Sequence, residues 1–349
     1  MSIRKIKDFI LRSEVLRSII YKIRKISYVQ DIRYRLFPRC IAIEISGICN
    51  AKCLYCCQGS GNHKAKNTFM IAEEFEKIIH RLLYLKLIKP AYNGNIGLFN
   101  WGEPFLNPQL NDILRILGSN NLKAGISSNF IKKPNITPEN YKNIDSYSFS
   151  LCSLNPKEYE RIYGAKLEMV MENFNEFVKN RNQYNPNLKI IINWLRYQFN
   201  ENEFIKAKEY FMKKGADEFA DNMYAYINDG YAWIKYLNIG ILEGYDIEQI
   251  CADIDFKRLN FVLGKAPANH YCSIKDMIVI NESSELTLCC TITSKNQEYN
   301  LGDIHKLSRL DIFRLKARSK ICKQCEKAHL NYFYLNGYIK DLAKFEDCK

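Results

Sequence analysis

No apolar run in this chain approaches the roughly 20 residues that a membrane-spanning helix requires, and its first residues lack the clean apolar centre of a secretory signal. Both absences predict a protein of an interior, reducing compartment, so the expected localisation is cytoplasmic and disulfides are not expected. Histidine is scarce, with five in 349 residues, and no His/Asp/Ser grouping suggests hydrolysis. A glycine-rich phosphate loop is missing, as are internal repeats and low-complexity tracts. What the chain does have is cysteine, thirteen in all. In a reducing setting the usual reason for so many free thiols is ligation of a metal or cluster.

Hydrophobic residues make up 47% of the chain, ample for a packed core and too many for a disordered chain. The length predicts one large domain plus an accessory one. The net charge of +13 is unevenly placed, because residues 1–39 hold eleven Lys/Arg against Asp8, Glu14 and Asp31. In that stretch Ile3, Ile6, Phe9, Ile10, Leu16, Ile19, Ile20, Ile23 and Ile26 recur at helical spacing. Two readings stand: a basic amphipathic helix whose residues 1–26 meet anionic lipid or an acidic partner, or a helix packed on the protein's own core with its basic face in water. Basicity elsewhere is slight, so nucleic acid is not an expected partner.

From residue 40 onward the pattern alternates. Strand-like runs fall near 41–45, 94–99, 122–127, 146–151, 188–195 and 217–222, with helical patterns between them. Ile71, Phe75, Ile78, Ile79, Leu82 and Leu83 share one helical face. The next helix is expected to start with Asn107 as N-cap and Pro108 at its first position, and to stop at Gly118. Six strand–helix units argue for parallel strands joined by right-handed crossovers. Chemistry in such folds sits at the strands' C-terminal ends.

The most specific feature follows the first strand: Cys49-Asn-Ala-Lys-Cys53-Leu-Tyr-Cys56, a Cys-x3-Cys-x2-Cys spacing that arises by chance roughly 0.02 times per chain at this cysteine frequency. A cubane iron–sulfur cluster normally takes four cysteines. Three on one short loop grip three irons and leave the fourth open to an exogenous ligand, an arrangement suited to chemistry. Zinc is the alternative, although a structural zinc site wants four ligands. About fifty residues on, Asn100-Trp101-Gly102-Glu103-Pro104 follows the second strand, where a carboxylate can pair with an ammonium.

Together these motifs resemble the signatures of the radical S-adenosylmethionine (SAM) superfamily: Cys-x3-Cys-x-aromatic-Cys, and a Gly-Gly-Glu-Pro motif whose first glycine is Trp101 here. The resemblance implies a partial (β/α)6 TIM-like barrel with a small C-terminal cysteine-rich α+β extension, and a 4Fe–4S cluster on Cys49, Cys53 and Cys56 that binds SAM. It places Tyr55 near the adenine, and Gly102, Glu103 and Pro104 around the methionine amino group. It also implies SAM contacts from Ser128 and Asn129 after the third strand and from Ser150 in the fourth. Arg161, within Glu158-Tyr-Glu-Arg161-Ile-Tyr-Gly164, or Arg196 beyond the fifth strand, would take the SAM carboxylate. Cys152 stands where related sequences tend to have aspartate; it is either packing or a thiol that returns a hydrogen atom to a substrate radical.

Five more cysteines gather late in the chain. Cys322-x2-Cys325 is a metal-ligand knuckle, and Cys272 precedes an expected hairpin, Ile278 to Leu288, that ends at Cys289-Cys290. This pattern resembles the SPASM/twitch extension, which implies an auxiliary 4Fe–4S cluster on Cys272, Cys322, Cys325 and one of the adjacent pair. Aligning Ser284 with the hairpin glycine favours Cys289, with Cys290 the alternative; zinc also suits four thiolates. The expected domains are a basic helical segment (1–39), the barrel (40–225), a helical linker (226–268), the auxiliary-cluster domain (269–336) and a tail (337–349).

The family resemblance implies reductive cleavage of SAM to a 5′-deoxyadenosyl radical that takes a hydrogen atom from a substrate, with an electron donor such as flavodoxin or ferredoxin. Oxidation or epimerisation of a small metabolite or sugar-like molecule is the first expectation. Modification of a peptide or protein is the second, and a non-catalytic iron–sulfur or zinc protein the third.

Overall fold

The computed structural model describes residues 40–88, 95–255, 260, 263–264 and 272–331. The basic N-terminal segment with its expected membrane contact, the C-terminal tail and part of the linker lie outside the described residues. Among those described, no helix is long and apolar enough to cross a membrane.

Six strands, β1 (Ile41–Ile43), β2 (Asn95–Gly97), β3 (Lys123–Ser128), β4 (Ile144–Leu151), β5 (Lys189–Arg196) and β6 (Glu218–Tyr224), lie side by side in chain order. Every neighbouring pair among them is parallel. The strands read with period two. In β4, Tyr147, Phe149 and Leu151 are buried while Ser146, Ser148 and Ser150 are half-buried, so large side chains point to the helical layer and small polar ones into the barrel. The helices are α1 (Ala72–Tyr84), α2 (Leu110–Ser119), α3 (Pro156–Tyr163), α4 (Leu167–Tyr184), α5 (Phe204–Lys213), α6 (Gly230–Ile239), α7 (Ile247–Asp253), α8 (Arg309–Arg318) and α9 (Lys320–Lys327). The architecture is the expected partial barrel of parallel strands, and no closure joins its edges.

Helix α1 buries Phe75, Ile78, Ile79 and Leu82, as its periodicity predicts. Ile71 is instead the residue before the first turn and is 54% exposed. Helix α2 begins at Leu110 rather than Pro108, and Asn107 caps the turn that leads into it. Its amide donates to the carbonyls of Ile45 (2.6 Å) and Met70 (2.9 Å), while its oxygen accepts from the N–H of Gln109 at 2.8 Å. Asn107 thus staples the extension of β1 to the chain segment beside it.

The expected hairpin forms as β7 (Ile278–Ile280) and β8 (Glu285–Thr287), followed by β9 (Asn300–Asp303). Ser284 closes its turn at φ 64°, the left-handed conformation that favours glycine. These strands are not set apart from the barrel. Strand β7 pairs in parallel with β1, Ile41 opposite Ile278 and Ile43 opposite Ile280, giving one nine-stranded sheet in the order β6-β5-β4-β3-β2-β1-β7-β8-β9.

Candidate cluster and cofactor site

Parallel pairing brings the C-terminal ends of β1, β2 and β3 to one rim, and the motif residues meet there. The three-cysteine loop is held from both sides. Lys52 and Leu54 donate their N–H groups to the carbonyls of Tyr163 and Ile162 (both 3.0 Å), and Asn228 donates to the carbonyl of Tyr55 at 2.6 Å. Cys49, Cys53 and Cys56 remain half-buried between these anchors, whereas Cys57 is fully buried.

Gly102 explains how the second motif reaches the first. A Cβ at this position would fall 1.9 Å from the carbonyl oxygen of Ser46, so only glycine lets the two backbones approach. The N–H of Glu103 then donates to the carbonyl of Ile48 at 2.8 Å. Glu44, absent from the sequence reading, locks the same junction: its Oε1 accepts the N–H groups of Trp101 and Gly102, each at 2.7 Å. The indole of Trp101 packs on His63, with ring centroids 5.6 Å apart. The missing first glycine is therefore accommodated by moving the side chain off the rim. Pro104 opens a single 3-10 turn, Pro104–Leu106, with Glu103 as its cap.

Glu103 is 3% exposed. Its Oε1 accepts from the N–H of Phe105 at 3.1 Å and its Oε2 from the N–H of Asn129 at 2.9 Å. Burial pushes this carboxyl up to about 7 against those hydrogen bonds and one from Ser128. Each oxygen keeps a lone pair for another donor, which makes the site a receiver for a cation. The amide of Asn129 donates to Cys49 Sγ at 3.4 Å and to Asn50 Oδ1 at 3.0 Å, so the residue faces the cysteine loop. Ser128 is buried and accepts from the N–H of Phe130 at 3.1 Å.

The thiols differ sharply. Burial raises Cys49 to about 12 and Cys53 well above the ordinary value. Cys56 is lowered to about 7, first by the thiol of Cys57 and then, against burial, by the N–H groups of Gln58 and Gly59. Donors already surround the sulfur of Cys56 as they surround a ligating thiolate.

Other expected residues sit differently. Tyr55 is buried, its hydroxyl bonded to Asp253 at the end of α7 and its ring 5.8 Å from that of Tyr197. Arg161 grips the same Asp253 with both terminal nitrogens (2.7 and 2.9 Å) and gives its Nε to Glu158 (2.9 Å). Its donors are engaged in a structural ion pair, so it does not present a free guanidinium to the rim. Arg196 lies over the ring of Phe204 at 4.7 Å. Ser150 is half-buried on the inner face of β4, opposite Asn193 of β5. Cys152 is 0% exposed, near Cys53 and among Tyr159, Tyr163 and Tyr197. This burial suits the space-filling reading of Cys152.

At the other cysteine-rich region, Cys272, Cys289, Cys322 and Cys325 line one small pocket together with Ile292 and Ile321. Cys322 and Cys325 are one turn apart on α9, so their sulfurs share a face. Cys290 is not among the residues lining that pocket. Lys316 of α8 is 3% exposed, donates to the carbonyl of Met277 at 2.5 Å, and faces the charge of Cys289, Cys290 and Cys322. A buried ammonium is costly unless it meets negative charge. Among the described residues, no group of three or more His, Cys, Asp or Glu side chains could hold a metal ion.

Glu44 makes a pH prediction. Burial pushes its carboxyl up to about 8, with the N–H groups of Gly102 and Trp101 opposing and neighbouring Glu282 adding to the rise. A folded value above the unfolded one gives stability that is fully present below the unfolded value and is lost as pH rises through the folded one. The melting temperature of the metal-free protein is therefore expected to fall between about pH 4.5 and about pH 8, and Glu44→Gln to shrink that fall. Equal slopes in the two proteins, followed by calorimetry, would exclude the titration.

No family model matches the chain. It is 24% identical over 180 residues to a protein of Methanococcus vannielii described as a probable GTP 3′,8-cyclase, covering 51% of this chain and 56% of that protein. A protein of Methanococcus maripaludis with the same description is 26% identical over 150 residues, covering 42% of this chain and 48% of that one. The chain thus spans about half the length of the curated relatives it matches. Among solved structures, Streptococcus suis SuiB bound to precursor peptide SuiA superimposes with a TM-score of 0.56 at 16% identity, covering 85% of this chain and 72% of that one. Native anSMEcpe with bound AdoMet gives 0.51 at 14% identity, covering 85% and 96%. At these identities the likeness is one of fold.

Proposed function

Because this chain has the radical SAM fold, we propose that it is a SAM-dependent enzyme that removes a hydrogen atom from its substrate. In this reading Cys49, Cys53 and Cys56 hold a 4Fe–4S cluster and Glu103 takes the amino group of SAM. When bound, the cluster and SAM supply an electron and a 5′-deoxyadenosyl radical. The chain's own residues place and shield that chemistry. Three cysteines leave one iron position without a protein ligand. Gly102 and Glu44 bring the carboxylate of Glu103 to the cysteine loop, and the barrel wall excludes water. The observation that carries the reading is the meeting of Cys49, Glu103 and Asn129 at one rim through hydrogen bonds.

Cys272, Cys289, Cys322 and Cys325 are assigned to an auxiliary 4Fe–4S cluster, with Lys316 as its buried counter-charge. An auxiliary cluster suits removal of an electron from the substrate, and the burial of Cys152 speaks against its returning hydrogen. Both favour oxidation of a small metabolite or sugar-like molecule over epimerisation, with a flavodoxin or ferredoxin as electron donor. A peptide-modifying enzyme is the second reading, since SuiB, similar in fold, is seen with its precursor peptide. The reduced, iron-loaded protein is expected to convert SAM to 5′-deoxyadenosine, measured by chromatography. An iron-loaded protein that makes none would leave a binding role and end the enzymatic reading. Mass spectrometry of metabolites and peptides retained on anaerobic purification separates the two substrate classes.

A further inference from the structure

We propose that Asn129 is a positioning residue that ties the SAM-binding carboxylate to the cluster and raises the reduction potential of that cluster through an N–H···S bond to Cys49. The inference rests on the cluster assignment made above and adds a role for one side chain. Asn129 commits its backbone N–H and both ends of its side-chain amide. Its backbone N–H goes to Glu103 Oε2 at 2.9 Å, and its Oδ1 accepts the N–H of Ile131 at 2.8 Å. The second bond fixes which end of the amide is oxygen, so the NH2 must face the cysteine loop. Asn129 Nδ2 donates to Cys49 Sγ at 3.4 Å and to Asn50 Oδ1 at 3.0 Å.

The turn that presents Asn129 carries an independent sign of function. The next residue, Phe130, has φ 56° and is fully buried. A bulky aromatic in the left-handed region is a strained conformation that persists only when its surroundings impose it. Ser128 Oγ accepts its N–H at 3.1 Å, Asn173 donates to its carbonyl at 2.8 Å, and its ring is wedged against Tyr147 and Phe149. The fold therefore pins the turn whose first residue bridges Glu103 and Cys49.

A donor on a ligating sulfur favours the more negatively charged, reduced cluster. Removing it should make the potential more negative. Asn129→Asp keeps the oxygen for Ile131 and deletes the donor; Asn129→Ala deletes both and guards against an effect of the new charge. In an EPR-monitored titration of the signal that disappears in Cys49→Ala protein, each variant is expected to lower the reduced-to-oxidised ratio at fixed potential about tenfold. For one electron that is about 59 mV. Iron content should stay at the unsubstituted value. Full iron with an unmoved potential in both variants overturns the role of Asn129 and leaves the cluster assignment standing. Failure of the unsubstituted protein to assemble a cluster on Cys49, Cys53 and Cys56 overturns both.

Discussion

Protein in which Cys49, Cys53 and Cys56 are all replaced by Ala is expected to fall from about eight irons per chain to about four and to make no 5′-deoxyadenosine. The size of the effect follows from where the thiols sit. Their loop is anchored by backbone bonds to Tyr163, Ile162 and Asn228, none of which uses a thiol, so the loop's path should survive the substitution. The second cysteine set draws on other elements and shares no ligand with the first, so its four irons should remain. Iron and acid-labile sulfide assays on anaerobically purified protein read both halves of the result. Four irons before substitution would defeat the two-cluster assignment, and zinc in place of iron would defeat both clusters.

Glu103→Ala is expected to weaken SAM binding roughly ten- to a hundred-fold while both clusters still assemble. A buried carboxylate–ammonium hydrogen bond is commonly worth about 1.5–3 kcal/mol. Burial raises the carboxyl to about 7 before any cation arrives, so a proton competes with the ammonium near neutral pH. Affinity should accordingly fall as pH drops below about 7, where the empty site is protonated. Glu103→Gln should bind weakly at every pH and lose that dependence. Titration calorimetry at several pH values measures both effects. Affinity unchanged by Glu103→Ala would mean that Gly102-Glu103-Pro104 merely turns the chain.

Much of this was legible in the sequence because it is local. The three cysteines, the Gly102-Glu103-Pro104 turn and the period-two pattern of β4 each declare themselves within a few residues. The contacts that the sequence could not show act across long separations. Glu44 matters only because Trp101 and Gly102 arrive opposite it, and nothing near Glu44 announces that. Arg161 reads as a free cation until Asp253, ninety-two residues away, is folded against it. Cys152 lies at a strand end, which suggests access, but the tyrosines that bury it come from α3 and from beyond β5. Asn107 reads as an N-cap from its neighbours alone, but its NH2 also reaches Ile45 and Met70, which only the fold brings beside it.

The pairing of β1 with β7 bears on how the molecule is made. During synthesis β1 emerges well before its partner on one side, Ile278–Ile280. Until then Ile41-Ala42-Ile43 is an unprotected apolar edge of the kind that invites association with other chains, and contacts spanning so much sequence form slowly. The cysteine loop hangs from that strand. Docking of Ile278–Ile280 therefore completes the sheet from which the loop hangs and covers that edge.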